Sequence, residues 1–178
     1  MWHFSEDSSL GRFRPRAPAS NPEGQPLVWA VDTRHAPIFW FPRDCPRGCI
    51  WPAAGTTPED RDQFFGQSAA NRVHVMEGAW LRRMQECRLY GYRLPPGPFR
   101  RHEVGGYWIA DEQVDAIERV TIDDLVGRHA GAGIELRITP SIWPFWRRVA
   151  SSTVRFSGSR LRNSGPHPDQ ASWVTLAP

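Results

Sequence analysis

The residues best suited to chemistry in this chain lie between Val28 and Arg47, in the stretch VWAVDTRHAPIFWFPRDCPR. Trp29 and Trp40 offer two large flat rings, Asp32 a carboxylate, His35 an imidazole, and Arg43 and Arg47 two guanidinium forks around a Pro-bounded turn. Guanidinium forks match phosphate oxygens bidentately, and a strand, a short helix and an Arg-rich turn can form one wall of a site. The stretch would therefore suit a ligand with a flat ring at one end and phosphate at the other. Each feature also has a plain structural reading. Tryptophans mostly fill cores, and Arg43 or Arg47 could simply pair with Asp44 or Asp32 to fix the turn. Cys45, between the arginines, would need a nearby base such as His35 or His74 to act as a nucleophile; a small buried thiol is the simpler expectation.

His3 is the next residue of interest. It stands on a first strand, Met1–Ser5, with Ser5 beside it. A histidine there can be a hydrogen-bonded structural residue, or it can hold a ligand by a hydrogen bond without moving a proton. Glu103 and Glu112 are the carboxylates flanking a later strand, Tyr107–Ala110; solvated surface is their plain reading.

The elements that must position these residues follow from pattern. Val28–Val31 is a short apolar run ending at Asp32, and predicts a buried strand. Asp32 or Thr33 can cap a short helix carrying Ala36, Phe39 and Trp40 on one face, stopped by Pro42. Alternation predicts strands at Arg72–Met76, Arg88–Leu94 and Ile134–Ile138, with further strands near Ile50–Trp51, Tyr107–Ala110, Val114–Val120 and Val154–Phe156. Helices are expected from Pro58 to Gly66 after a threonine cap, from Glu77 to Arg83, from Thr121 to about Gly131, and from Ser141 to Arg148. Many short strands with few short helices make a mixed α+β fold, mostly antiparallel. Residues 1–162 are expected as one domain and 163–178 as a poorly ordered tail whose Trp173–Val174 could dock.

Composition narrows the function classes. The chain has 178 residues, 40% of them hydrophobic, with nine Trp and nine Phe, so its core and any pocket should be rich in rings. The net charge is +3, and its 22 basic residues are all arginine. They stand as singles and as the doublets Arg82–Arg83, Arg100–Arg101 and Arg147–Arg148, each read as solvated surface. Cys45, Cys49 and Cys87 are an odd number, with no second Cys/His pair at zinc spacing, so no metal is expected and a reducing, cytoplasmic setting fits. No apolar run approaches the ~18 residues of a membrane span.

Three pieces, taken in order, resemble the motif strands of the ADP-ribosyltransferase fold of diphtheria-toxin and poly(ADP-ribose) polymerase type. Trp2-His3-Phe4-Ser5 is similar to that family's Trp-His-Gly-Ser opening. Trp29-Ala30-Val31-Asp32, seven residues and then Trp40 are similar to its Tyr-Phe-Ala-Asp, seven residues and Tyr. Gly106 to Ala110 resembles the strand that the family begins with its catalytic glutamate. The resemblance implies two mostly antiparallel sheets around a cleft that binds NAD as substrate. His3 and Ser5 would lie at the nicotinamide-side ribose, Trp29, Trp40 and Tyr107 at the ring, and Arg43 and Arg47 at the pyrophosphate.

The third motif departs, since Gly106 stands where the acid belongs, and Glu103 and Glu112 are near but each displaced by several residues. The implied function is therefore either ADP-ribosyl transfer to a nucleic-acid or protein acceptor, or a degenerate form of it. The alternative is a non-catalytic module binding a nucleotide, nucleic acid or protein on the same fold. The chain also resembles a small bacterial family of uncharacterised proteins over residues 1 to about 150. These open with a Trp/Tyr-His-Phe/Val-Ser-Glu segment and carry the Pro-Arg-Asp-Cys-Pro-Arg turn.

Overall fold

The computed structural model describes residues 1–17, 22–102 and 106–167. In chain order its elements are β1 (Trp2–Ser5), β2 (Arg12–Phe13), β3 (Val28–Val31), β4 (Arg47–Trp51), α1 (Pro58–Phe65), β5 (Arg72–Glu77), α2 (Leu81–Glu86), β6 (Leu89–Arg93), β7 (Arg100–Arg101), β8 (Tyr107–Ala110), β9 (Val114–Asp115), β10 (Glu118–Ile122), α3 (Leu125–Gly131), β11 (Ile134–Thr139), α4 (Trp143–Ala150) and β12 (Arg155–Ser159). The fold is mixed α+β. Every strand pair is antiparallel except β5 with β11.

The chain divides into two compact units, residues 1–43 with 83–129, and residues 44–82 with 130–178. The first unit holds a six-stranded sheet, ordered β10-β6-β1-β3-β8-β7, and the small pair β2-β9. The strands of the three motifs, β1, β3 and β8, are therefore neighbours. Trp2 pairs with Val31, Val31 with Tyr107, and Trp29 with Ile109. Side chains alternate across a sheet, so these pairings sort them. Trp2, Phe4, Trp29, Val31, Tyr107 and Ile109 share one face, while His3, Ala30 and Trp108 share the other. That second face carries the unit's core, where Val28, Ala30, Tyr92 and Ala110 pack with Phe13, Leu94, Phe99 and Val114.

The second unit is a four-stranded sheet, β11-β5-β4-β12. All six residues of β5 are buried, because it lies between β4 and β11 with both faces covered. Alternation in the sequence identifies that strand but hides its central place. The core joins Ile50, Val73 and Val75 to Phe64 and Phe65 of α1 and to Ile142, Val149 and Val154. Helix α1 starts as its sequence dictates: the Thr57 hydroxyl accepts from the Asp60 amide, Pro58 opens the helix, and Glu59 and Asp60 lie in the first turn.

Other boundaries differ from the expectation. The segment after Asp32 is a single 3-10 turn, Ala36–Phe39, and Asp32 Oδ1 accepts from the His35 amide at 2.9 Å. The expected helix at Glu77–Arg83 is a 3-10 turn, Gly78–Trp80, running into α2. Thr121 and Ile122 remain in β10, because Asp124 takes a left-handed turn (φ 49°) and α3 begins only at Leu125.

Helix α4 lies later than its pattern suggests, because its start is set from outside. The buried Glu77 carboxylate accepts from the Ile142 amide through Oε1 and from the Gly165 amide through Oε2. The expected disorder from residue 163 is corrected as far as 167. Asn163 donates to the Asp44 carbonyl, Gly165 is held by Glu77, and the Trp143 indole donates to the Gly165 carbonyl at 3.0 Å. Trp173 and Val174 lie outside the described residues. No helix among the described residues is long and apolar enough to cross a membrane.

Candidate functional site

A chain of six rings crosses one face of the six-stranded sheet. Trp2 and Phe4 of β1 stack at 6.3 Å, and Phe4 stacks on Phe39 of the 3-10 turn at 6.0 Å and 11°. Phe39 meets Tyr107 of β8 edge-on at 5.9 Å, and Tyr107 meets Trp29 of β3 edge-on at 5.8 Å. Trp29 ends against His102 at 5.1 Å. All six rings are only partly buried, which sets them apart from core aromatics such as Phe41 or Phe64. The Trp29 indole nitrogen is itself buried and has no hydrogen-bond partner among the described residues. A buried N–H donor without an acceptor costs stability, so its presence calls for an explanation. It lies within the aromatic row, between Tyr107 and His102.

His3 stands on the opposite face of the sheet from this row. Its ring packs on Phe13 at 4.7 Å, and Nδ1 donates to the Trp29 carbonyl at 3.0 Å, tying β1 to β3. A carbonyl can only accept, so Nδ1 carries the proton and Nε2 is the acceptor. Burial lowers the pKa of His3 and keeps it neutral, the Trp29 hydrogen bond opposes this, and the Arg43 guanidinium lowers it further. Ser5 is buried, and its hydroxyl accepts from the Asp7 amide at 3.1 Å, which shapes the turn after β1. The structure thus brings Trp29 and Tyr107 together with four rings, none of which was named as a site residue from the sequence. It does not bring His3 to the same face. Trp40 rests edge-on against His129 at 6.0 Å, a different setting from that of Trp29. The strict alternation Trp2-Phe4 beside His3-Ser5 was the signal that β1 presents two chemically different faces.

The arginines separate as well. Arg43 is exposed, and its amide donates to Glu6 Oε1, while Glu6 Oε2 pairs with Arg83. Arg47, in the second unit, is buried and donates to the Cys45 carbonyl at 3.1 Å. Asp44 pairs with Arg160 at 3.7 Å, and Asp32 is engaged by His35 and by the Trp108 indole. Cys45 is a buried thiol, as are Cys49 and Cys87.

Position 106 is closed to a side chain. Gly106 has φ +74°, and a Cβ built there would lie 2.7 Å from the His35 ring. That ring is held at 2.8 Å by Asp32 Oδ1, whose carboxylate also accepts from Trp108 at 3.3 Å. Burial opposes ionisation of Asp32, but the hydrogen bonds from His35 and Trp108 win and its pKa is lowered. Glu112 is exposed in the bend after β8, and Glu103 lies outside the described residues. No three His, Cys, Asp or Glu side chains converge as a metal site among the described residues.

Fold and site together define a mixed α+β protein with a half-exposed aromatic row on one sheet and a glycine-locked histidine–aspartate pair at the row's edge. The chain belongs to the DUF6886 family, a family of unknown function, whose profile matches residues 2–164. No curated protein and no solved structure is matched by this chain.

Proposed function

We propose that this protein binds a ligand with a flat heteroaromatic ring, of the nucleotide class, on the aromatic row of its six-stranded sheet. NAD is the first ligand to test. The observation that carries the reading is the Trp29 indole: a buried N–H with no acceptor among the described residues, set in a chain of partly exposed rings. Nucleotide bases and nicotinamide offer a π-face to the row and a carbonyl or ring nitrogen to that N–H.

The adjacency of β1, β3 and β8 supports a finer reading, an ADP-ribosyltransferase-like architecture. Glutamate-assisted ribosyl transfer at position 106 is not part of it, since no carboxylate fits there. The protein is therefore read as a binding module, with catalysis left to any group outside that position.

The test is calorimetric titration with NAD, AMP and nicotinamide. Saturable binding that Trp29→Phe weakens about tenfold, the size of one lost neutral hydrogen bond, supports the reading, and Phe39→Ala should weaken it further. Arg43→Ala should weaken the phosphorylated ligands and leave nicotinamide unchanged. No binding at millimolar ligand removes the proposal. Binding abolished by His3→Ala but unaffected by Trp29→Phe would move the site to the opposite face.

A further inference from the structure

The doublet Arg100–Arg101 forms β7, the outermost strand of the six-stranded sheet beside β8, and both side chains are exposed. Alternation sends the two to opposite faces, and the neighbours fix which goes where. Phe99, just before the strand, packs into the core on the sheet's second face. Arg101 pairs with Trp108, which belongs to that same face. Arg100 pairs with Ile109, and Ile109 pairs with Trp29, so Arg100 stands on the face of the aromatic row and level with Trp29. His102, two residues beyond Arg100, continues that face. Its amide donates to the Tyr107 carbonyl at 2.9 Å, and its ring rests against Trp29 at 5.1 Å.

The Arg100 guanidinium forms no ion pair or hydrogen bond among the described residues, and the exposed Asp111 and Glu112 in the bend after β8 do not pair with it. Arg93 is the contrast. It lies beside the row as the register partner of Trp2, but Glu118 neutralises it at 2.5 Å. Two strand spacings of about 4.8 Å put the backbones of Trp29 and Arg100 about 10 Å apart, and a long flexible arginine stem covers part of that span. A nucleotide has this layout: a flat base, one ribose, and a phosphate that a guanidinium fork matches bidentately.

We propose that Arg100 holds the phosphate of a nucleoside monophosphate whose base lies at Trp29, and so makes the row selective for nucleotides over nucleosides and free bases. The inference rests on the reading of the row as a ring-binding site and adds the partner of the phosphate. Rings and a neutral indole N–H treat a nucleoside and its monophosphate alike. A cation on the same face, level with Trp29, tells them apart. Because Arg100 is exposed, water screens the pair, and the preference it creates is about tenfold rather than thousands.

The experiment is calorimetric titration of the full chain with two pairs of ligands, adenosine with AMP and nicotinamide riboside with nicotinamide mononucleotide. In at least one pair the wild type should bind the monophosphate about tenfold more tightly than the nucleoside at low salt. That advantage should shrink as salt is raised from about 50 to about 500 mM. Arg100→Ala should bring it below about threefold and leave the affinity for the nucleoside unchanged, which also shows that the variant is folded. Arg100→Lys keeps the charge without the fork and should retain part of the advantage. Arg101→Ala, on the other face, should change nothing. Trp29→Phe should weaken nucleoside and monophosphate by the same factor. Equal affinity of the wild type for nucleoside and monophosphate in both pairs, or an advantage that Arg100→Ala leaves intact, overturns the inference while the row remains a ring-binding site. Binding of none of the four ligands overturns both.

Discussion

Replacing Gly106 with alanine tests the arrangement at the edge of the aromatic row most directly. The backbone there has φ +74°, a conformation that costs a residue with a Cβ about 1–2 kcal/mol. The new methyl would also lie 2.7 Å from Cγ of His35, with Cδ2 and Nδ1 nearly as close. These are inner ring atoms, so the ring must move as a body. Its Nδ1 bond to Asp32 at 2.8 Å would then break, a hydrogen bond to a carboxylate worth about 1.5–3 kcal/mol.

The two costs together predict a destabilisation of about 2.5–5 kcal/mol for Gly106→Ala. In a His35→Ala background the contact is absent and only the backbone cost of about 1–2 kcal/mol should remain. Urea unfolding of the wild type, both single variants and the double variant gives the coupling energy directly. A Gly106→Ala cost below about 1 kcal/mol, or an equal cost in both backgrounds, would refute the steric argument. It would also reopen position 106 to a side chain with a carboxylate.

Three further outcomes are expected. Burial lowers the pKa of both His3 and His129 from 6.5, so as pH falls the unfolded chain takes up protons before the folded one does. Their contribution to stability is present above about pH 6.5 and is lost as the pH drops toward the folded values; urea midpoints from pH 8 to 5 should fall, and fall less steeply in His129→Gln. Burial pushes the Cys49 thiol up to about 12 and the Cys87 thiol to about 11, the latter helped by Glu6. A thiol reagent at pH 8 should therefore label neither until the protein unfolds, and rapid native labelling of either would contradict the burial. Thr57→Ala removes the side-chain acceptor for the Asp60 amide and should cost about 1 kcal/mol in urea unfolding, against nearly nothing for Thr57→Ser.

Local signals in the chain carried most of the elements. A threonine cap, a proline and two acids placed α1; period-two alternation placed β5, β6 and β11; an apolar run bounded by Asp32 placed β3. Each is a preference of backbone and side chain over a few neighbouring residues, and such preferences are legible without knowing the fold. The signals failed where a distant group decided. The start of α4 was set by Glu77, 65 residues earlier, and residues 163–167 were tied down by Asp44, Glu77 and Trp143.

The candidate site was legible in part for the same reason. Trp29 and Tyr107 were named through the motif resemblance and Phe39 only as one face of a short helix, while the sequence by itself determined a chain rich in rings whose basic residues are all arginine. Only the tertiary structure decided which rings share a face. Pairing Trp2 with Val31 and Val31 with Tyr107 put Trp29 on one side of the sheet and His3 on the other, and a register shift of one residue would have reversed that relation. The same holds for Gly106. Its sequence shows a glycine, and only the fold shows the His35 ring against its backbone, because residues far apart in the chain meet only when the sheet pairs them.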